Sequence, residues 1–441
     1  MEYLLLGVFG ACLLACVFTG VSIVLAMAAG FVLFFGYGLW KGKTWKEMFG
    51  FSFQGIRTVR NVLITFLLIG ILTAVWRSSG SIAYIVYHAA SFCRPSVMVL
   101  VSFLLCCLIS FLTGTAFGSA ATIGVICMTM ANSAGVSPVY TGGAILAGVF
   151  FGDRCSPVST SALLVSELTE TDLYSNLSAM VKTALVPFLV SCGLYWFLGL
   201  GTDSVVSGMS SQQIFAEYYR MSFWTVLPVA AVLILSLLRV NVKYTLAVSS
   251  LLGIAVSLLI QKVSPTELFR FCILGFQPEN EELAALMSGG GIVSMVRVFC
   301  IVCISSCYSG MFQGTGFLDR MQEMISALGN RITAFGSILV TSIVSSAIGC
   351  NQTLAIMLTH QLCRGLEKEN SRMAISLENS AVVVAPLIPW SIAGAVPLDS
   401  VGAPLSSIAL AFYLYLIPIW YFLMNRRGRK ASPGKNRKKN G

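Results

Sequence analysis

The stretch from Arg94 to Asp153 decides the fold class: RPSVMVLVSFLLCCLISFLTGTAFGSAATIGVICMTMANSAGVSPVYTGGAILAGVFFGD. No charged residue and no histidine lies between these two ends. A membrane-spanning helix needs about 20 consecutive apolar residues, so this stretch alone can cross a bilayer at least twice. The sequence therefore predicts an all-α polytopic membrane protein.

The composition of the whole chain agrees with this prediction. Of its 441 residues, 56% are hydrophobic and only 10% are charged, whereas about a quarter of a typical soluble domain is charged. Further uncharged runs separate Glu2 from Lys41, Lys182 from Asp203, Lys243 from Lys262, Arg297 from Asp319, and Glu378 from Asp399. These runs argue against a water-soluble enzyme.

Positive charge is concentrated in a few loops and in the tail. The formal net charge is +10, and the segment 426–441 contains lysines and arginines but no acid. Because loops rich in Lys and Arg stay on the cytoplasmic side, we expect a multi-pass protein of the cytoplasmic membrane with both termini in the cytoplasm. The basic tail is then a membrane topology signal, and we expect the lipid bilayer, not nucleic acid, as its surroundings.

Corresponding features recur about 230 residues apart, which predicts two repeats. The first covers 1–200, with a re-entrant hairpin over about 61–93 and broken helices over about 97–165. After an external linker at 201–221, the second covers 222–424, with a hairpin over about 291–318 and broken helices over about 332–402. A basic cytoplasmic tail follows at 425–441. An odd number of crossings in each half makes the repeats inverted, giving about ten transmembrane helices plus two hairpins.

Four interruptions within the broken helices predict a binding site near the membrane midplane. They lie at 113–118, 152–160, 349–352 and 386–391 and are rich in Gly, Ser, Thr and Pro. Non-helical backbone at membrane depth is tolerated where protein buries it or where it lines a wet cavity. Freed carbonyls and hydroxyls suit a cation such as Na⁺. This pattern is typical of a secondary transporter.

A few charged residues near these interruptions are candidates for ion coupling. Asp153 is the best candidate for a titratable ligand, although it could instead form a structural arrangement with Arg154. Glu378 could couple ions or snorkel to an interface. Arg154, Arg77 and Arg297 could pair with acids or with a substrate, and the last two could also snorkel. Neutral ligands are expected from Thr115, Ser119, Ser156, Ser159, Thr160, Asn351, Gln352, Asn379 and Ser391.

Other classes of protein find little support. The 14 cysteines are scattered through apolar segments and are interpreted as small buried hydrophobic residues. His88 and His360 are isolated, so we expect no metal site and no cofactor beyond a transported Na⁺. Gly42-Lys43-Thr44 lacks the earlier glycine of a phosphate-binding loop, because position 37 is Tyr37. The sequence does not predict an enzyme.

Motifs in both halves point to a family. In the first half they are Leu68-Ile69-Gly70, Trp76, Ser79-Gly80-Ser81-Ile82, Tyr87-His88, Thr113-Gly114-Thr115 through Gly124, and Phe151-Gly152-Asp153-Arg154-Cys155-Ser156-Pro157. In the second half they are Ser288-Gly289-Gly290-Gly291-Ile292 through Met295, Leu377-Glu378-Asn379-Ser380, and Ser391 after Pro386-Leu387-Ile388-Pro389-Trp390. Together these motifs resemble the NhaC-type Na⁺/H⁺ antiporters of the ion-transporter superfamily, over nearly the whole chain except the basic tail.

The resemblance implies an exchanger of Na⁺ for H⁺ that works as a homodimer. In such an exchanger Na⁺ and H⁺ compete for one carboxylate, here Asp153. This chain departs from the family at three positions: Thr160 and Asn379 replace the usual Asp, and Ser391 replaces the usual Asn. Asp153 or Glu378 must then supply the titratable group. These departures leave open an alternative, a Na⁺-coupled transporter of an amino acid or small carboxylate.

Overall fold

The computed structural model describes residues 2–19, 21–89, 94–200, 211–238, 240–317 and 333–430. Within these ranges the chain is helical, and its single β pairing is an isolated bridge between Phe276 and Gly289. The predicted all-α fold is confirmed. Most of the predicted external linker, at 201–210, and the end of the basic tail, at 431–441, lie outside the described residues.

Eleven helices precede the link between the halves in the described chain. They are α1 (Glu2–Thr19), α2 (Ile23–Trp40), α3 (Trp45–Thr58), α4 (Arg60–Ser78), α5 (Ser81–Ala89), α6 (Pro95–Thr113), α7 (Ala116–Ser119), α8 (Val125–Ser133), α9 (Pro138–Cys155), α10 (Thr160–Thr169) and α11 (Leu173–Leu200). A π-helical turn over Ala120–Gly124 joins α7 to α8.

Twelve helices follow the link in the described chain. They are α12 (Ser211–Tyr218), α13 (Leu227–Leu237), α14 (Val242–Leu259), α15 (Pro265–Leu274), α16 (Glu281–Met287), α17 (Val296–Thr315), α18 (Ala334–Gly349), α19 (Gln352–Leu362), α20 (Asn370–Glu378), α21 (Ala381–Val384), α22 (Ile392–Val401) and α23 (Phe412–Lys430). Short 3₁₀ turns cover Phe223–Val226, Ile292–Met295, Ala385–Leu387 and Leu405–Leu410.

Several helices are long and apolar enough to cross a membrane. In the described ranges six qualify by themselves: Ile23–Trp40, Pro95–Thr113, Ala116–Ser133, Leu173–Leu200, Val242–Leu259 and Ile292–Thr315. Three bent helix pairs raise the number to nine if each pair is one span. A multi-pass membrane protein is thereby confirmed, with fewer spans in these ranges than the ten predicted.

The first interruption turns the chain back on itself. Gly114 ends α6 with φ of 66°, a left-handed conformation that glycine adopts without steric cost. The hydroxyl of Thr115 accepts a hydrogen bond from the Gly118 amide at 3.0 Å and caps α7. Helix α8 then packs back along α6. Residues 95–133 therefore form a helical hairpin with its tip at Gly114 and Thr115, where the sequence suggested one long interrupted pass.

The third interruption makes a second hairpin in the same way. Cys350 ends α18 in a left-handed conformation with φ of 51°, and Asn351 caps α19 by accepting a hydrogen bond from the Thr353 amide at 2.9 Å. Helix α19 packs back along α18. The Cys350 carbonyl also accepts a hydrogen bond from the Ile392 amide at 2.9 Å, which ties this tip to the start of α22.

The second and fourth interruptions break helices that otherwise continue. Helix α9 ends at Cys155, and Ser159 caps α10 by accepting a hydrogen bond from the Ala162 amide at 3.3 Å. In the second half, Ser391 caps α22 by accepting from the Ala393 amide at 3.3 Å. The segments on either side of this last break, Asn370–Leu387 and Ile392–Val401, are bent by 54°. Both breaks lie where the sequence predicts them.

The ends of the two hairpins that lie away from their tips are near opposite ends of α11. This helix has 28 residues, so it is about 42 Å long. At one end, Gly199 packs against the backbone of Ser96 at the start of α6. The other end follows Glu170, which lines a cavity together with His360 near the end of α19. The tips therefore point toward each other, while the division into two inverted repeats stays a prediction.

The predicted hairpin over 291–318 is wrong in the described residues. Helix α17 runs unbroken through Gly310. A Cβ added at Gly310 would lie 1.9 Å from the carbonyl oxygen of Phe51 in α3, so this glycine permits close helix packing and does not interrupt the helix.

The structure also differs from the predicted hairpin over 61–93, whose last residues, 90–93, lie outside the described ranges. Its first arm, α4, has 19 residues, enough to cross a bilayer as a full helix. The indole nitrogen of Trp76 donates to the hydroxyl of Ser249 at 3.0 Å and joins α4 to α14.

Close packing of α9 on α6 predicts a stability effect at Gly152. A Cβ at this position would lie 2.0 Å from the carbonyl carbon of Ser110, so Gly152→Ala must push the two helices apart. We expect a loss of about 1–3 kcal/mol from overpacking, measured as a lower Tm of the purified protein in detergent. Gly193→Ala in α11, with no atom within 4 Å of the added Cβ, is the control and should keep or raise Tm. Equal Tm values for the two variants would contradict this packing argument.

Candidate functional site

A cavity of about 420 Å³ lies where the two hairpin tips meet the break between α9 and α10. Its walls come from both tips, from that break, from α4 and from the turn between α13 and α14. The lining residues are Val62, Thr65, Thr113, Thr115, Ala116, Phe117, Asp153, Val158, Thr160, Ser236, Val240, Asn241, Val242, Lys243, Gln352 and Thr353. Four of the predicted site residues, Thr115, Asp153, Thr160 and Gln352, are therefore together.

Asp153 supplies the carboxylate of this cavity. Its side chain is 5% exposed, and its Oδ2 accepts hydrogen bonds from the hydroxyl of Ser161 at 3.0 Å and from Nε2 of Gln352 at 2.9 Å. Both donors are neutral, and no Lys, Arg or His makes an ion pair with Asp153 in the described chain. The carboxylate therefore has no hydrogen-bonded protein cation among the described residues.

Gln352 connects Asp153 to the second broken helix. The same Nε2 that donates to Asp153 also donates to the carbonyl oxygen of Val382 in α21 at 3.1 Å. The second hairpin tip thus fixes the orientation of a carboxylate that belongs to the first half of the chain. A change in the position of either half would alter the hydrogen bonds of Asp153.

Hydroxyl groups surround the tip of the first hairpin. The hydroxyls of Thr113 and Ser119 are 2.9 Å apart, and Ser119 donates to the carbonyl oxygen of Thr115 at 2.8 Å. Thr113 and Thr115 line the cavity together with Thr160, so the cavity has several neutral oxygens beside one carboxylate. Neutral oxygens with one negative charge form a ligand set that fits a monovalent cation such as Na⁺.

Arg154 points away from the cavity and is completely buried. A guanidinium carries five N–H donors, and each has an acceptor here. Nε donates to the carbonyl of Glu378 (3.2 Å), Nη1 to Sγ of Cys155 (3.3 Å) and to the carbonyl of Met180 (3.3 Å), and Nη2 to the hydroxyl of Thr183 (2.9 Å) and to Oδ1 of Asn379 (2.6 Å). Arg154 therefore joins α9, α11 and α20, and it holds the break together without Asp153.

Glu378 and Asn379 lie behind the cavity wall. Both are completely buried, and neither lines the cavity. Asn379 accepts the hydrogen bond from Arg154, while its Nδ2 has no partner among the described residues. Neither carboxylate oxygen of Glu378 has a hydrogen-bond partner in that part of the chain. Because Glu378 is completely buried, the snorkelling alternative is wrong.

The remaining predicted residues hold the backbone or lie elsewhere. Ser159, Asn351 and Ser391 cap helices, and the hydroxyl of Ser156 accepts from the Val158 amide at 3.3 Å. Arg77 is only 7% exposed, and its Nη1 donates to the carbonyl of Thr73 on its own helix at 2.9 Å. Arg297 lines a separate cavity of about 150 Å³ with Asp399. Neither arginine reaches the Asp153 cavity.

The sequence did not single out Ser161, which binds Asp153, or the polar lining residues Thr65, Thr113, Ser236, Asn241, Lys243 and Thr353. Ser161 had a usable signal, because it lies in the first turn of the helix that follows the break and is two residues after the capping Ser159. Thr113 and Thr353 flank the tips directly. Lys243 gave no signal, because only the packing of α13 and α14 brings this turn to the cavity.

These features define a class of protein. A multi-pass helical chain with a buried carboxylate that has only neutral hydrogen-bond donors, at a cavity between two hairpin tips, is built as a secondary transporter. The chain belongs to the Na⁺/H⁺ antiporter family, whose sequence model matches residues 1–169 and 148–425. The NhaC-type resemblance is thereby confirmed.

Named relatives are similar along most of their length. The Na⁺/H⁺ antiporter NhaC of Bacillus subtilis (strain 168) is 28% identical over 398 residues, 86% of this chain and 87% of the relative. The malate-2H⁺/Na⁺-lactate antiporter of the same organism is 23% identical, covering 88% of this chain and 86% of the relative. The arginine/ornithine antiporter ArcD of Halobacterium salinarum is 27% identical, covering 88% and 83%.

Because all five N–H donors of Arg154 have acceptors, we expect Arg154→Lys to lower the stability of the protein strongly. Lysine has three donors, so at least two buried acceptors lose their partners. Each unsatisfied buried group costs about 1–3 kcal/mol, and we expect a loss of at least about 2 kcal/mol, read from Tm in detergent. The control Arg372→Lys changes an exposed pair with Glu369 and should stay within about 0.5 kcal/mol. A Tm for Arg154→Lys equal to that of the control would show that the hydrogen bonds carry little stability.

Proposed function

We propose that this protein exchanges Na⁺ for H⁺ across the cytoplasmic membrane, with the Asp153 carboxylate as the Na⁺ ligand. One observation carries the proposal: a buried carboxylate lines the cavity and has only neutral hydrogen-bond donors. An ionised carboxylate in a low-dielectric site needs a counter-charge. Na⁺ supplies that charge in the Na⁺-loaded form, and proton uptake by the site removes the need for Na⁺, so binding of one ion opposes binding of the other.

The cavity offers a path for Na⁺ from one side of the membrane. Its wall includes Asn241 and Lys243 in the turn between α13 and α14, which the distribution of basic residues assigns to the cytoplasm. Na⁺ then reaches Asp153 from the cytoplasm in this conformation. Thr115 and Thr160 provide hydroxyl oxygens that replace part of its hydration shell. Arrangement as a homodimer is a proposal that rests on the resemblance alone.

The alternative, coupled transport of an organic solute, has weaker support. Two relatives are named for organic substrates, malate with lactate and arginine with ornithine. The arginines expected to bind a carboxylate, Arg154, Arg77 and Arg297, are all absent from the wall of the cavity. Exchange of Na⁺ for H⁺ needs only the carboxylate and the hydroxyls that line this cavity.

Removing the charge of Asp153 tests the proposal. Asp153→Asn keeps the shape of the side chain but removes the negative charge that binds Na⁺ in this proposal. In proteoliposomes with an internal pH dye and no organic solute, external Na⁺ should alkalinise the interior with the wild type. We expect at least a hundredfold slower response with Asp153→Asn, and a Tm close to that of the wild type.

A matched control uses the same substitution on the surface. Asp172 is exposed and caps α11 by accepting a hydrogen bond from the Ser175 amide at 2.8 Å, which asparagine can also accept. Asp172→Asn should exchange ions at the wild-type rate. Saturable Na⁺-driven alkalinisation that persists in Asp153→Asn would refute the assignment of Asp153.

A further inference from the structure

Glu378 is a buried acid that the proposed exchange at Asp153 does not use. It ends α20 and is completely buried, and both of its carboxylate oxygens lack a hydrogen-bond partner among the described residues. An unpaired ionised carboxylate in such a place is strongly unfavourable. The group must therefore bind a proton or another cation during part of its cycle.

Arg154 does not neutralise this acid through a hydrogen-bonded ion pair. Its contact with Glu378 is to the backbone carbonyl, and the other four donors of the guanidinium are used by Cys155, Met180, Thr183 and Asn379. Glu378 still interacts electrostatically with Arg154 and with Asp153. The two carboxylates are thus coupled through charge without sharing a ligand.

The charges of this buried group favour one bound cation. Arg154 contributes one positive charge, and Asp153 and Glu378 contribute two negative charges when both are ionised. One additional Na⁺ or H⁺ makes the group neutral, and a buried net charge is costly. One Na⁺ or one H⁺ at a time satisfies this charge balance.

The two carboxylates differ in what they can bind. Asp153 faces the cavity and its hydroxyls, which suits Na⁺, and two donors stabilise its ionised form. Glu378 does not line the Asp153 cavity, and its carboxylate oxygens receive no hydrogen bond from the described residues. A proton needs only one oxygen atom and no cavity. Because Glu378 has no donor to stabilise its ionised form, protonation lowers its free energy more than that of Asp153.

We propose that the exchanged proton binds Glu378 while Na⁺ binds Asp153, so that the two ions compete through charge across Arg154 and not for the same oxygen atoms. This inference rests on the proposed Na⁺/H⁺ exchange. In the Na⁺-loaded form Glu378 is ionised and balances Arg154. In the proton-loaded form Glu378 is neutral, and Asp153 balances Arg154.

Few other titratable groups face Glu378. On α9 these are Asp153, Arg154 and Cys155. Among the other helices packed against α20, α10 carries Glu167 and α11 carries Lys182, both exposed, and α19 carries His360 near its end. Helices α18 and α21 have no titratable residue. Tyr413 of α23 lies beside Arg154.

The experiment measures ²²Na⁺ binding to purified protein between pH 6 and pH 9. Competition by one proton makes the wild-type affinity for Na⁺ rise about tenfold per pH unit in the titrating range. Glu378→Gln mimics the protonated acid permanently. We expect it to bind Na⁺ more weakly and with an affinity that no longer changes with pH.

Transport provides a second readout for the same variant. In proteoliposomes, Glu378→Gln should lose Na⁺-driven proton movement and keep exchange of ²²Na⁺ for unlabelled Na⁺ at high Na⁺ concentration. Glu167→Gln, the same substitution at an exposed position of α10, should match the wild type in both assays. A tenfold rise in affinity per pH unit that persists in Glu378→Gln overturns the proposal and leaves Asp153 as the shared site.

Two further variants make every result decisive. If Asp153→Asn still binds Na⁺, the proposed function fails, whatever the result with Glu378→Gln. If Asp153→Asn does not bind Na⁺, the change of Na⁺ affinity with pH in Glu378→Gln tests the proton site alone. Should Glu378→Gln fail to fold, Glu378→Asp keeps an acid in a changed position. Its binding curve should keep the tenfold slope with a shifted midpoint, and a curve identical to that of the wild type overturns the proposal.

Discussion

The site depends on the hydrogen bonds of one buried guanidinium. Arg154 joins α9, α11 and α20 through five neutral acceptors, so it fixes the two broken helices relative to each other without forming a hydrogen-bonded ion pair. If a carboxylate took these donors, the positive charge would be neutralised locally. Because neutral groups take them, Arg154 forms no hydrogen bond with the carboxylate of the adjacent Asp153 or of the nearby Glu378 in the described chain.

The broken helices are stable within a membrane because side chains accept hydrogen bonds from the free backbone amides at the helix ends. Ser159, Asn351 and Ser391 each accept a hydrogen bond from a backbone amide at the start of a helix. Such caps compensate groups that the membrane would otherwise leave without partners. The same hydroxyl-rich segments place Thr115 and Thr160 on the cavity wall. The segments that permit a break therefore also place hydroxyl oxygens on the cavity wall.

Glycine has two different roles in this protein, and the sequence predicts a chain break for both. Gly114 takes a left-handed conformation at a hairpin tip, whereas Gly310 remains helical and allows the backbone of Phe51 to approach. The local sequence looks similar in the two cases, since both lie in apolar stretches with small neighbours. Only the partner helix distinguishes a turn from a close contact, and so the predicted hairpins were placed on the wrong segments.

The sequence by itself determined the all-α membrane fold, the family and the four interruptions, with Asp153 at the second of them, because hydropathy and local capping depend on near neighbours in the chain. The tertiary structure decided which interruptions are hairpin tips, because that depends on packing of α8 on α6 and of α19 on α18. It also decided that Arg154 faces away from Asp153 and that Arg77 and Arg297 lie elsewhere. In the part of the chain that the structure describes, it leaves both carboxylate oxygens of Glu378 without a hydrogen-bond partner. Adjacent residues on a helix point in different directions, so only the surrounding helices determine which partner each one meets.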